Sequence, residues 1–142
     1  MIFLVNADFN TQIHADVLDK VIGADTSLLS EMELAAIEEM TSYLYRYNVA
    51  AAFAEIDAAR SRLLVMYCVD IMLYHLHSRI NHRQVPEIRF VRYEAAKKWL
   101  ESVSKGLIIA DLPAKPNDDA NGDGVSDSLG TMKIFTFPKR NN

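Results

Sequence analysis

The stretch LLVMYCVDIMLYHL, from Leu63 to Leu76, is apolar at almost every position and decides the fold of this chain. Just before it, Asp57 or Ser61 offers a side-chain oxygen that can cap a helix, and the helical pattern continues to about Arg79. The apolar stretch has 14 residues, fewer than the roughly 20 that a membrane-spanning helix needs. Because the stretch is apolar on every side, we expect it to be the buried central helix of a globular domain.

A second helix, which precedes the central helix in the chain, is predicted to begin at Glu31. Ser30 and Glu33 have the spacing of a capping box, and Leu29 can pack on Leu34 across the first turn. These residues together are a typical start of a helix.

This second helix is predicted to end near Asn48 and to be amphipathic. Its apolar positions recur at helical spacing and are Ile37, Met40, Leu44 and Tyr47. Its carboxylates fall mostly elsewhere, on an acidic face, and are Glu31, Glu33, Glu38 and Glu39. In residues 49–56 the alanines favour helix but the position favours a connector, and we predict mostly loop there.

A third long helix is predicted between Pro86 and Gly106. Pro86 suits the first helical position, Glu87 suits the positive end of the helix dipole, and Gly106 supplies a stop after Lys105. The predicted buried stripe of this helix consists of Ile88, Val91, Ala95, Ala96, Trp99, Leu100 and Val103.

The two ends of the chain differ from this helical centre. Residues 8–21 predict one or two short amphipathic helices carrying Phe9, Ile13, Val17, Leu18 and Val21. After residue 113 the composition shifts to Pro, Asn, Asp and Gly, and only MKIFTF, residues 132–137, alternates as a β-strand does. We therefore predict a mainly α fold. Residues 1–113 form a small bundle of three longer helices with short N-terminal helices, and residues 114–142 form an irregular C-terminal arm that can carry one strand.

The acidic segment from residue 119 to residue 127 resembles a calcium-binding loop. Its candidate oxygen ligands are Asp119, Asn121, Asp123, Val125 through its carbonyl, and Asp127. The twelfth position is Gly130, where a calcium loop has a bidentate Glu, and no strong helical pattern flanks the segment. A calcium-dependent binding module and a solvated turn both remain open, and we expect no metal.

No residue set with the spacing of a catalytic site was found. His75, His77 and His82 lack the spacings that bring metal ligands together on a helix, and the chain has no nucleophile elbow, phosphate loop or dinucleotide fingerprint. We therefore expect neither an enzyme nor a bound cofactor.

The composition of the chain argues against two further classes of protein. The net charge of -4 argues against nonspecific binding of nucleic acid, and a single cysteine, Cys68, excludes a disulfide framework within one chain. The first five residues are apolar but lack a basic leader, so we expect no signal peptide there.

Asp70 is the unusual residue of the central helix. A carboxylate one turn from Met66 and Tyr74 must be paired, hydrogen-bonded or protonated. We predict that it is a buried structural polar residue bonded to a hydroxyl or a basic side chain of another helix. A small helical enzyme that uses Asp70 as an acid is the less favoured alternative.

Charge is distributed unevenly along the chain. Residues 25–57 are mostly acidic among their charged positions, and residues 79–105 are mostly basic. Opposite faces of one subunit can then meet head to tail, or these charges can pair within the bundle. The candidate partner-binding residues are Glu31, Glu38 and Glu39 on the acidic face and Ile134, Phe135, Phe137, Lys139 and Arg140 in the arm.

Several helix-packing positions resemble a family of Mu-like phage proteins. They are Ser42-Tyr43-Leu44 with Arg46-Tyr47, Leu63-Leu64, Val69-Asp70-Ile71 with Leu73-Tyr74 and Leu76, Arg92-Tyr93 with Ala95, Trp99-Leu100, Gly106 and Leu112-Pro113. The resemblance covers about residues 1–113 and implies a relative of the head–tail connector adaptors.

The resemblance implies a structural subunit that joins head and tail in virion assembly. The implied partners are copies of the chain in a ring, the portal and tail-completion proteins, without a membrane or sequence-specific nucleic acid. The implied location is the virion, and the cytoplasm of the bacterial host before assembly, for a phage or a prophage.

Overall fold

The computed structural model describes residues 1–23, 25, 27–81 and 85–115, and this part of the chain is mainly helical. The six α-helices are α1 (Asn6–Phe9), α2 (Ala15–Ile22), α3 (Ser27–Tyr43), α4 (Val49–Ala54), α5 (Arg62–Asn81) and α6 (Glu87–Ser104). A short 3-10 helix, Asp57–Ala59, precedes α5. The predicted helical bundle is confirmed, since three long helices and short N-terminal helices are present.

The apolar stretch forms most of α5, which is the central helix. It packs against α3 on one side and α6 on another, and α1 and α2 also contact it. The α5 residues that are almost completely buried are Leu64, Cys68, Val69, Ile71, Met72, Leu73 and Leu76. Leu63, in the first turn of α5, is exposed, so burial on every side does not extend to the start of the helix.

The predicted start of the second helix is wrong. α3 begins at Ser27, because the Asp25 carboxylate accepts hydrogen bonds from the backbone N–H of Ser27 at 3.1 Å and from its hydroxyl at 2.6 Å. Ser30 therefore lies inside the helix, and Leu34 is exposed and cannot staple the first turn. An earlier Asx cap thus takes the place of the predicted capping box.

The loop predicted for residues 49–56 is also wrong, because residues 49–54 form α4. The Asn48 side chain caps this helix by accepting a hydrogen bond from the backbone N–H of Ala51 at 3.1 Å. Phe53 packs edge-on against Phe3, with ring centroids 5.0 Å apart. Helix propensity and a buried aromatic anchor therefore favoured helix over connector.

The predicted stripe of the third helix is only half right. Ala96, Leu100 and Val103 are buried, whereas Ile88, Val91 and Ala95 are exposed. In its first two turns, α6 therefore turns a different side toward the core than the predicted one. The predicted buried position of Val17 on α2 is wrong too, since its side chain is about half exposed.

Residues 106–115 fold back along the end of the bundle. Gly106 ends α6 with a positive φ of 73°, and the chain then runs beside the segment that joins α3 to α4. The Asn48 N–H donates to the Pro113 carbonyl at 2.9 Å, and Ala114 forms an isolated antiparallel bridge with Tyr47. The predicted strand at residues 132–137 lies outside the described residues.

Candidate interaction surface

Only some of the carboxylates predicted for the acidic face of α3 lie on its surface. Glu31 and Glu38 are exposed, as a partner-binding role requires. Glu33 is completely buried and Glu39 is half-buried, so the prediction of one continuous acidic face is wrong. Both inward carboxylates have partners inside the subunit.

Glu33 binds the N-terminal backbone. Its Oε2 accepts a hydrogen bond from the N–H of Ile2 at 2.5 Å, and its Oε1 accepts from the N–H groups of Phe3 at 2.9 Å and Leu4 at 2.6 Å. Three consecutive amides are thereby satisfied by one carboxylate, which places Phe3 and Leu4 in the core. No sequence pattern announces this role, because the partners are backbone groups about thirty positions away.

Glu39 links all three long helices. Its Oε2 lies 2.9 Å from Nε2 of His75 on α5, and its Oε1 accepts a hydrogen bond from the hydroxyl of Tyr93 on α6 at 2.8 Å. Tyr93 stacks on Tyr74 with ring centroids 4.1 Å apart. Burial and the hydrogen bond to the Glu39 carboxylate raise the pKa of Tyr93 above its usual range. Glu39 therefore serves the subunit's own packing.

Asp70 is only 3% exposed and faces basic side chains of α6. Its Oδ1 lies 2.9 Å from Nε of Arg92, which forms an ion pair between α5 and α6. Arg89 is also buried and donates to the carbonyl of Gln12 at 2.7 Å. Burial raises the pKa of the Asp70 carboxyl, and the charges of Arg92 and Arg89 oppose this rise only in part.

This buried charge explains the rotation of α6. Arg89 and Arg92 must face α5 to compensate Asp70, and residues one position away on a helix then point elsewhere. Ile88 and Val91 are consequently turned outward and are 56% and 52% exposed. The predicted need of Asp70 for a hydroxyl or basic partner is the sequence signal from which this orientation could have been predicted.

A second ion pair fixes the N-terminal segment. The Arg60 guanidinium lies 2.6 Å from the Asp8 carboxylate and donates to the Phe3 carbonyl at 2.9 Å. Burial alone would raise the pKa of Asp8, but its hydrogen bonds to Arg60 and to the backbone of Val5 lower it below its usual value. Cys68 is fully buried, and burial raises the pKa of its thiol, which suits an inert core residue.

Two apolar surfaces remain exposed on the described residues. We call the first the α6 patch, which consists of Ile88, Val91 and Ala95 on one side of the helix. We call the second the apolar run, which consists of Leu107, Ile108 and Ile109 directly after α6. Within the run Leu107 is 76% exposed and Ile109 is 91% exposed. Exposed apolar residues in such groups are typical of interaction sites.

The remaining predicted sites lie outside the described residues. They are the calcium-loop candidates Asp119, Asn121, Asp123, Val125 and Asp127, and the arm residues Ile134, Phe135, Phe137, Lys139 and Arg140. Within the part of the chain that the structure describes, no three His, Cys, Asp or Glu side chains are grouped as metal ligands would be. None of the helices in that part is long and apolar enough to cross a membrane.

Comparison with known proteins identifies the family. A family model described as bacteriophage Mu, Gp36 matches residues 3–127, which includes the whole helical bundle. No curated protein and no solved structure matches the chain significantly. Because the match extends over nearly the whole chain, this phage protein belongs to the bacteriophage Mu Gp36 family.

Proposed function

We propose that this chain is a structural subunit of the head–tail connector, an adaptor that forms a ring with copies of itself and joins the head to the tail of a phage particle. Membership of the Mu Gp36 family supports a role in the phage particle or its assembly. The observation that carries the finer proposal is the exposure of the α6 patch and the apolar run on a small helical subunit. Such surfaces are costly in an isolated chain and are covered in an assembly.

The subunit's inner contacts suit a rigid building block. Glu33, Arg60 and Arg89 bind backbone groups of the N-terminal segment, and Glu39 joins the three long helices. With these charges satisfied inside, the outer surface is free for neighbours. In this proposal the chain acts by binding alone, and its neighbours are further copies of itself, the portal and tail-completion proteins.

The test is to delete the gene for this chain in the phage or prophage that carries it, and to examine the particles by electron microscopy. We expect filled heads and complete tails that are not joined, and a return of joined particles when the chain is supplied in trans. Joined, infectious particles in the absence of the chain would contradict the proposal. An absence of heads would also contradict it and indicate an earlier role.

We further propose that the C-terminal arm, which carries several of the candidate partner-binding residues, binds a neighbour during assembly, and this role needs a separate test. Because Pro113 and Ala114 contact residues 47–48, the truncation is placed after Lys115. The shortened chain is expected to keep its helical content and to melt cooperatively, but to be missing from particles. If it unfolds, the arm is part of the fold and not an assembly element.

A further inference from the structure

The outward side of α3 carries acidic and apolar residues. Glu31, Leu34 and Glu38 are three and four positions apart, so they lie on one side of the helix, and all three are exposed. Leu34 is 47% exposed, and its neighbour Ala35 is exposed as well. We call these four residues the outer face of α3. Along the helix, the residues of this face are in turn acidic, apolar and acidic.

The two carboxylates of the outer face have no basic partner in the described part of the chain, where neither forms an ion pair. α3 itself contains no Lys or Arg. The amine of Met1 reaches the helix at Ser30, where it donates to the hydroxyl at 3.1 Å. On α6 the exposed Glu94 and Glu101 are also seven positions apart, but each has a lysine of its own helix at 3.8 Å. The outer face of α3 is therefore the better site for a basic segment.

The end of the C-terminal arm has the complementary pattern in its sequence. Residues 128–142 contain three basic residues and neither Asp nor Glu. In an extended segment, residues two positions apart lie on the same side. By this rule Lys133, Phe135, Phe137 and Lys139 share one side, which we call the Lys–Phe side. Its two basic residues enclose two aromatic ones, so it matches the outer face of α3 in both charge and apolar character.

The arm begins beside the end of α3. Ala114 forms its bridge with Tyr47, four positions after this helix ends, and the described part of the chain stops at Lys115. Residues 116–131 connect Lys115 to Met132 and can extend to at most about 55 Å, whereas α3 is about 25 Å long. Two groups of one chain that can reach each other meet at an effective concentration of roughly millimolar. At micromolar protein concentrations, the arm of the same subunit therefore binds in preference to the arm of another copy.

We propose that the Lys–Phe side of the arm binds the outer face of α3 in the same subunit. Lys133 pairs with Glu38, because the arm arrives from the C-terminal end of α3. Lys139 pairs with Glu31, and the two phenylalanines between the lysines cover Leu34. The two lysines of an extended segment are about 20 Å apart and the two glutamates about 10 Å, a difference that the four long side chains bridge. The inference goes beyond the proposed function, because it concerns the free subunit, whose docked arm has to be released before it binds a neighbour.

A spin label on the arm measures this contact in the full chain. Thr136→Cys places the label on the opposite side of an extended segment from the Lys–Phe side, and the thiol of Cys68 is fully buried and unreactive. We expect the label to broaden the amide signals of residues 31–38 and to leave those of the α6 patch sharp. A mixture of spin-labelled chain with separate isotope-labelled chain, at roughly 50 μM, should show no such broadening, because the arm binds within one subunit.

Charge reversal tests the pairing. Glu31→Lys combined with Glu38→Lys should lower the ratio of docked to free arms at least about tenfold, because two attractive pairs become repulsive. The matched control combines Glu94→Lys with Glu101→Lys, which reverses two exposed charges at the same spacing on α6 and should keep the broadening. Since all four positions are exposed, both double variants should keep the helical content and the melting curve of the wild type.

Exchange of the charges completes the test. Lys133→Glu with Lys139→Glu should by itself abolish the broadening, and should restore it when added to the reversed glutamates of α3. Sharp α3 signals in the labelled wild type, an equal loss in the α6 control or a failure of the exchange to restore broadening would overturn the inference. Broadening in the mixture would overturn it too, since the arm would then bind another copy. These measurements use the purified subunit, so the inference and the adaptor proposal can fail independently.

Discussion

Replacing Glu33 by Gln should cost about 2–4 kcal/mol of folding free energy. Oε1 accepts from the amides of Phe3 and Leu4, and a Gln oxygen in its place can keep these two bonds without the charge. The amide of Ile2 donates to Oε2, where Gln has an NH2 group, so two donors would meet. Loss of one part-buried charge-assisted hydrogen bond and weakening of two buried ones gives this magnitude.

The assay is urea denaturation followed by far-UV circular dichroism at pH 7. Glu31→Gln is the control, because it makes the same chemical change on the same helix at an exposed position and should stay within about 0.5 kcal/mol of the wild type. Hydrogen exchange of the amides of residues 2–4 adds a local measurement. If both variants unfold at the same urea concentration, the reasoning is refuted. Faster exchange of these amides with an unchanged midpoint would show that the segment opens independently of the bundle.

Three further predictions follow from the other charged groups. Asp70→Ala should destabilise the fold by roughly 1–4 kcal/mol, because buried Arg89 loses its compensating charge, and an unchanged denaturation midpoint would contradict this. Since the pKa of Asp8 is lowered in the fold, its stabilising contribution is present above about pH 4, its unfolded value, and is lost as the pH falls through the folded pKa. The free energy of unfolding, measured between pH 2 and pH 6, should therefore fall less steeply on acidification in Asp8→Asn than in the wild type. Identical slopes would show that the ion pair of Asp8 with Arg60 does not contribute to stability. Millimolar calcium should leave the melting temperature unchanged, whereas a rise that Asp123→Ala abolishes would favour the calcium-binding alternative.

The sequence predicted best what depends on neighbouring residues. α5 and the end of α6 at Gly106 follow from an apolar stretch and a backbone signal, and both are local. The role of Glu33 could not be predicted, because in sequence it is one of several similar carboxylates on one helix. Its burial is decided by amides that reach it only after the chain has folded back.

The rotation of α6 shows why hydrophobic spacing alone is ambiguous. Two stripes on this helix are compatible with helical spacing, one containing Ile88 and Val91 and the other containing Arg89. Counting apolar residues favours the first stripe for the core. The cost of burying Asp70 without a cation favours the second, and in the structure that cost decides the orientation.

The same reasoning bears on the proposed contact between copies of the chain. The uneven charge of the sequence offered two interpretations, contact between oppositely charged faces of neighbours or pairing within the bundle. Of the charges that could face a neighbour, Glu33, Glu39 and Arg89 are used inside the subunit, and Arg92 lies against Asp70. Internal use of these groups supports the second interpretation for them alone, because Glu31, Glu38, Lys98 and Lys105 stay exposed. It also forces apolar side chains of α6 outward, so contact between copies should depend on apolar burial, with charges selecting which surfaces meet.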